Sequence, residues 1–321
     1  MIARLVGSLQ PFFMVRRAPW LGPLVALVVV FGIFAALTPD TFLRSQNILT
    51  MARSTVIVAT CALGMTMIII TGGIDLSTGS LVALTTVIIA KLLKTGSSPA
   101  VAVAVALAVA AATGAFTGAL VGFGRMMPFI ATLGTMSALR GIAKGIAAEQ
   151  KIDCDAKGLD KVLTADLSAP GLWITLALAL FVAGLLRVTR FGRHVFAVGS
   201  NEAAARLCGI DPNRVKIAVY TLASLLFGIA GVMAFSTLTV GDPTVSVGLE
   251  LQVIAAVVIG GAALTGGQGS IAGAVLGALL MTVIETGAIH KGTPGWVQEI
   301  ATGAIIVLAV ALDRARSGAR R

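Results

Sequence analysis

The stretch Met67 to Ser80, MIIITGGIDLSTGS, holds the residues of this chain best suited to chemistry. An apolar run stops at Thr71-Gly72-Gly73. A lone acid follows at Asp75, Ser77 adds a hydroxyl, and a second apolar run starts at Leu81. Paired glycines beside a carboxylate in a hydrophobic chain mark a helix that stops and restarts where polar groups can be satisfied. Charge and bare backbone at that depth are tolerated only against other protein or a wet cavity. The chemistry this predicts is non-covalent, a polar path or gate through an apolar layer. A second break, IGGAALTGGQGS over 259–270, puts Gly260, Gly261, Gly266 and Gly267 in the same kind of setting. Asp75 has two compatible readings. It can cap the restarted helix by accepting backbone N–H groups, or line the path. Glu250 and Glu285 read as acids near span ends.

Covalent chemistry finds little support. Two histidines occur, His194 among arginines and His290 near a span end, and there is no HExxH and no GxSxG elbow. Cys61, Cys154 and Cys208 have no metal spacing and imply no disulfide framework. LTGGQ at 264–268 looks like the signature of an ABC ATPase. No GxxxxGK[ST] phosphate loop accompanies it, however, and apolar runs flank it on both sides. We therefore expect no catalytic residues, no metal site and no cofactor bound by this chain.

The elements that must carry these residues are membrane helices. Hydrophobic residues make up 57% of the 321 and charged residues only 12%, against about 25% charged in soluble domains. Mean hydropathy is +0.98. The apolar runs are near 20 residues and unbroken, which favours helices over barrel strands. The fold expected is all-α, a single polytopic transmembrane domain over 1–321. Its ten spans fall near 21–38, 48–70, 78–94, 99–123, 128–147, 171–189, 215–237, 250–264, 270–289 and 295–312. The first run lacks a small-residue cleavage site and reads as a span rather than a removed signal peptide.

The net charge of +10 sits at the ends of the apolar runs and reads as topology, not as nucleic-acid binding. With ten spans both termini share a side. That side takes fourteen of the twenty-four Lys and Arg: Arg4, Arg16 and Arg17, Arg125, Arg187 to Arg193, Arg206 to Lys216, and Arg314 to Arg321. It is the cytoplasmic side by the positive-inside rule. The loop 148–170 is then external. The connection 190–214 is internal, and its NEAAARL favours a short helix with Asn201 as N-cap, Glu202 in the first turn and Arg206 in the last. Gly209 ends that helix, and Pro212 prevents its continuation. A surface helix there is a natural docking element or a plain solvated connector.

The chain also hints at an internal repeat. ITGGIDLSTGSLVAL (70–84) has a counterpart in IGGAALTGGQGSIAGAVLGAL (259–279), and spans two to five align with seven to ten as half-repeats of about 48–147 and 215–312. Paired glycine-broken segments in two halves point to a transport site. Two glycine ladders, Gly114-Gly118-Gly122 and Gly269-Gly273-Gly277, read as smooth faces for close helix packing.

TGGIDLSTGS, GSNEAAARLCGI and LELQVIAAVVIGG with LTGGQGSIAG resemble, in order, the hallmark segments of ribose-type permeases. Those are the membrane subunits of bacterial ATP-binding-cassette (ABC) sugar importers, and the resemblance covers about 20 to 315. It implies a multi-pass protein of the bacterial inner membrane with both termini cytoplasmic. The implied partners are a second permease chain (identical or homologous), a cytoplasmic ABC ATPase that binds ATP and Mg, a periplasmic sugar-binding protein and membrane lipid. It further implies a coupling helix that fits a groove in the ATPase, at Gly199, Asn201, Glu202, Ala204, Ala205, Arg206, Leu207 and Gly209. Thr78, Ser200, Cys208 and Gln252 depart from the family's usual residues. The cargo implied is a neutral sugar or polyol. The competing reading is a transporter or channel that works alone, for which Asp75 would be the chief relay acid.

Overall fold

The computed structural model describes residues 20–164, 166 and 168–318, and for 309, 310 and 312–318 the backbone alone. The basic residues Arg4, Arg16, Arg17, Arg320 and Arg321, and the side chains of Arg314 and Arg316, lie outside the described residues. Among the described residues the chain is all-α apart from one two-residue strand pair. Helices α1 (Leu21–Leu37), α2 (Pro39–Phe42) and α3 (Ser45–Ile70) lead into α4 (Thr78–Lys94), α5 (Pro99–Gly122) and α6 (Pro128–Ala147). Strand β1 (Ile152–Asp153) and a 3-10 turn at Leu159–Lys161 precede α7 (Pro170–Val188). Then come α8 (Arg190–Ser200), α9 (Glu202–Leu207), α10 (Pro212–Leu238), β2 (Val240–Gly241), α11 (Leu249–Ile259), α12 (Ile271–His290) and α13 (Gly295–Gly318). Ten of these helices fall on the ten expected spans. Among the described residues α3, α5, α7, α10 and α12 are each long and apolar enough to cross a membrane alone.

The helix starts are written in the sequence. Pro99, Pro128, Pro170 and Pro212 each stand in the first turn, where a missing N–H costs nothing and φ is already set. Ser98, Asp211 and Ser270 add side-chain caps. Packing then sorts the helices. α3 and α10 are mostly buried, whereas α5 and α7 turn most of their surface outward. α10 lies against α5, α3 and α4, and α12 against α3, α11 and α1.

In lipid, apolar contact with a neighbouring helix gains little over contact with acyl chains, so close backbone approach must supply the packing energy. The two glycine ladders do this. A Cβ on Gly118 would lie 2.7 Å from Ile217 Cα, and Gly114 and Gly122 face Tyr220 and Asn213 along the same α5–α10 seam. Gly273 faces the Gly260 carbonyl and Gly277 the Ala256 carbonyl, joining α12 to α11.

Three expectations need correction. The eighth span is not a helix over 250–264: α11 stops at Ile259, because Gly260 and Gly261 follow, the latter at φ +93°. The 190–214 connection holds two helices, not one. α8 was hidden by Gly192 and Gly199, poor helix formers, yet Gly192, Val195 and Val198 form its buried face. The 148–170 segment is folded rather than a plain loop. Its β1 pairs antiparallel with β2, Ile152 opposite Gly241, and Leu163 N–H donates to Ser236 Oγ at 2.9 Å.

Candidate functional site

The two glycine breaks and the segment expected to couple to an ATPase meet at one end of the bundle. Gly267 N–H donates to the Ile70 carbonyl at 2.8 Å, joining the 265–267 turn to the end of α3. Gly199, one residue from the end of α8, sits in the same spot. A Cβ on it would overlap the Ile70 carbonyl and lie 2.8 Å from Gly267 N. Gly266 in turn faces the Gly199 carbonyl, 2.6 Å from where its own Cβ would be, and the Gly72 nitrogen at 3.1 Å. Three stretches of backbone thus share a space that side chains would fill. Gly72 and Gly266 also have φ of +80° and +86°, a region that L side chains rarely adopt.

From this junction the connector 71–77 runs into the bundle. Thr71 ends α3, with its Oγ1 donating to the Ile68 carbonyl at 2.7 Å. Gly73 passes beneath Tyr220, whose hydroxyl is 2.7 Å from the site of an absent Cβ. Thr132 on α6 donates to the Ile74 carbonyl at 3.2 Å. Asp75 is wholly buried, and its Oδ1 accepts from both Ser77 N (2.7 Å) and Ser77 Oγ (2.6 Å). The acid therefore fixes the turn that leads into α4, whose N-cap is Ser77 itself, rather than capping the helix directly. Asp75 Oδ2, Ser80 Oγ and the Tyr220 hydroxyl are buried without a protein partner among the described residues. Buried polar atoms left open in this way mark a place where water or a solute hydroxyl completes the bonding.

The connector 239–248 repeats the device. Asp242 Oδ1 accepts from Thr244 N (2.8 Å) and Thr244 Oγ1 (2.6 Å), the same turn that Asp75 makes with Ser77. The sequence paired 70–84 with 259–279, but the hydrogen-bond pattern of 75–77 recurs at 242–244, one connector earlier. Extended backbone at this depth needs donors. Arg140, two-thirds of the way along α6, supplies them: its Nη1 donates to the Pro243 carbonyl (2.9 Å) and the Val245 carbonyl (2.8 Å). Thr86 Oγ1 accepts from Asp242 N–H at 3.3 Å. Sequence reasoning missed Arg140, counting it only as one of the charges at span ends. The signal was present, a single arginine inside the apolar run 128–147.

The residues expected to couple take the positions of a capped helix. Asn201 Oδ1 accepts from Ala204 N–H at 2.9 Å. Gly209, at φ +80°, closes α9 while Ile210 N–H reaches back to the Ala205 carbonyl at 3.0 Å. Ala205 is buried, Ala204 is exposed, and Leu207 is 90% exposed. Glu202 does not point away from the bundle. It pairs with Lys216 of α10 (2.7 Å) and with Arg206 (2.9 Å), and these two bonds hold its carboxyl below its ordinary value of 4.5. The structure thus divides the coupling set. Gly199 and Glu202 join the segment to the bundle, and Leu207 faces outward.

The remaining residues expected to line a path or gate are dispersed. Gly260 packs on Gly273 and Gly261 makes the turn after α11.

The family described as branched-chain amino acid transport system / permease component matches residues 47–310. The ribose import permease protein of Bacillus subtilis (strain 168) is 39% identical over 307 residues, 92% of this chain and 93% of that protein. The ribose import permease protein of Escherichia coli (strain K12) is 38% identical over 296 residues, 90% and 92% of the two chains. The L-arabinose ABC transporter permease protein of Azospirillum brasilense is 34% identical over 308 residues, 94% and 89%. No solved structure matches the chain.

Proposed function

This chain belongs to the permease-component family of branched-chain amino acid transport systems, and we infer from that membership that it is the permease subunit of an ABC importer for a sugar. The family's description names amino acids, but the relatives quoted above carry ribose and arabinose in their names. The cargo is a neutral sugar or polyol. The subunit is a multi-pass protein of the inner membrane that forms the path, while partner ATPases hydrolyse ATP. In the fuller reading it works as a dimer with both termini in the cytoplasm, bound lipid around it, and a periplasmic binding protein delivering the sugar.

One observation carries the mechanism: both glycine breaks touch the coupling segment through Gly199. ATP binding would pull α9 toward the partner permease, and α8 would move with it as a rigid body. Through Gly199 that displacement reaches the end of α3 at Ile70 and the 265–267 turn together. The first carries the connector with Asp75. The second leads into α12, packed on α11. The path therefore switches when one backbone junction moves, and no proton or ion relay is required.

The test is at Leu207, an apolar side chain left almost fully exposed on a segment between membrane spans. Such a side chain is a natural anchor for a partner pocket. We expect Leu207→Asp to abolish copurification of the ATPase after mild detergent extraction, and to cut uptake by roughly a hundredfold, given hot-spot costs of about 2 kcal/mol or more. A variant that keeps its ATPase and its uptake overturns the docking assignment.

A further inference from the structure

At the end of the bundle away from α8 and α9 there is a cavity of about 840 Å³, inside the size range of small-molecule sites. Its walls come from the end of α10, the 245–252 stretch, the second half of α12 and the start of α13. Most of its lining is apolar, but three helices contribute polar residues: Glu250 and Gln252 from α11, Glu285 from α12, and Gln298, Glu299 and Thr302 from α13. Of these, Glu250 has its Oε2 buried, close to Gly79 of α4. Gln252 Nε2 donates to Glu285 Oε2 at 2.9 Å, tying α11 to α12 across the wall.

Polar side chains on otherwise apolar membrane helices face a protein interior or a wet cavity, and these face a cavity. Their chemistry is selective. No Lys or Arg lines the space and three carboxylates do, so an anion is repelled. Part of this capacity is engaged within the protein: Glu285 Oε2 accepts from Gln252, Gln298 Nε2 donates to the Thr293 carbonyl at 2.9 Å and Thr302 Oγ1 to the Gln298 carbonyl at 2.9 Å. Glu285 Oε1 remains as an acceptor and the second N–H of Gln252 as a donor. Planar groups of this kind suit neighbouring hydroxyls on a small ring, while the apolar lining suits its C–H face.

We propose that this cavity is a binding site for the neutral sugar or polyol on its way through the subunit, with Gln252 and Glu285 as specificity-determining residues. The proposal rests on the sugar-importer reading above and adds the place and the groups that grip the cargo. The Gln252–Glu285 bond sets the spacing between α11 and α12 in the empty site. A bound solute would take up the second N–H of Gln252 and the free Oε1 of Glu285 without breaking that bond.

The experiment uses the complete importer in proteoliposomes, with its binding protein outside and labelled D-ribose, L-arabinose, D-xylose, D-glucose and D-galactose as probes. Uptake of each sugar and ATP hydrolysis stimulated by the binding protein are read together. We expect Gln252→Leu combined with Glu285→Leu to lower uptake at least tenfold while stimulated hydrolysis stays within twofold. We expect the milder Gln252→Asn and Glu285→Asp, which keep the chemistry and shorten the reach, to shift the preference among the transported sugars by threefold or more. A purely structural role would not move that ratio. Normal uptake with unchanged preference in all variants overturns the proposal. So does a parallel loss of uptake and hydrolysis in the double variant with unchanged preference in the milder ones. Should the wild-type importer move none of the five sugars, the importer reading itself fails, and this site fails with it.

Discussion

The two ends of the helical bundle are fastened in different ways. At the end that carries α8 and α9, chain meets chain through glycine: Ile70, Gly199, Gly266 and Gly267 touch backbone to backbone. At the opposite end, apart from the two-residue β1–β2 pair, most ties are side chains. Lys151 pairs with Asp242 at 3.1 Å, Asn47 Oδ1 meets His290 Nε2 at 2.7 Å, and Arg140 holds the Pro243 and Val245 carbonyls from within the bundle. The difference has mechanical meaning. A backbone junction has no rotamers to absorb motion, so displacement of one strand is passed to the next. Side-chain ties can exchange their partners for water or solute hydroxyls without moving the backbone. On the reading proposed above, the first end would transmit movement and the second would receive and release a polar molecule.

The largest effect should come from breaking the backbone junction. Gly199→Ala places a methyl on the Ile70 carbonyl, and overpacking of this kind costs up to about 3 kcal/mol. We expect uptake to fall by roughly a hundredfold while the ATPase still binds and hydrolyses ATP, which is uncoupling rather than loss of assembly. Gly184→Ala on α7 is the control, because nothing lies within 4 Å of that position, and it should leave uptake unchanged. Equal uptake by the two variants would remove the distinction between the ends.

The next effect tests the side-chain end. Arg140→Met keeps an unbranched apolar stem and deletes both bonds to the 239–248 connector. It leaves two carbonyls short of a donor and removes the positive charge beside Glu250 and Asp242. Unsatisfied buried groups cost about 1–3 kcal/mol each. We expect the thermal inactivation midpoint in detergent to fall by several degrees, with coupling of ATP hydrolysis to uptake preserved in the molecules that remain folded. A variant as stable as the wild type would mean that the connector holds its shape without Arg140.

How far the sequence could be read follows from the same contrast. The spans, the ladders and the cap at Asn201 were legible because each depends on local signals: apolar length, glycine every four residues, Asn before a helix former. The resemblance to ribose-type permeases pointed to the right class for the same reason, since its motifs are contiguous. What stayed hidden was non-local. Nothing near Gly199 announces that Ile70 and Gly267 lie against it, 129 and 68 positions away. The turn at Asp75 recurs at Asp242 with Thr in place of Ser and Pro between, so a search by residue identity settled on the Gly-Gly pairs instead. The short α11 was concealed because no polar side chain interrupts 253–264, and hydropathy does not see where a helix stops.

The smallest effect belongs to the ion pair that ties α9 to α10, and its sign with pH is fixed. Lys216 and Arg206 hold the Glu202 carboxyl below its ordinary value of 4.5. A carboxyl lowered by folding adds stability above its unfolded value, and that contribution fades as pH falls through the folded value. The pair is partly exposed, with the Glu202 side chain at 40% and Lys216 at 17%, so solvent screening limits it to about 1 kcal/mol or less. Thermal inactivation of the wild type, followed from pH 7 down to pH 3, should therefore include a small loss below pH 4.5 that Lys216→Met largely removes. Parallel curves for the two proteins would show that α9 is held by the packing of Ala205 and the glycine junction alone, with the charges contributing nothing that can be measured.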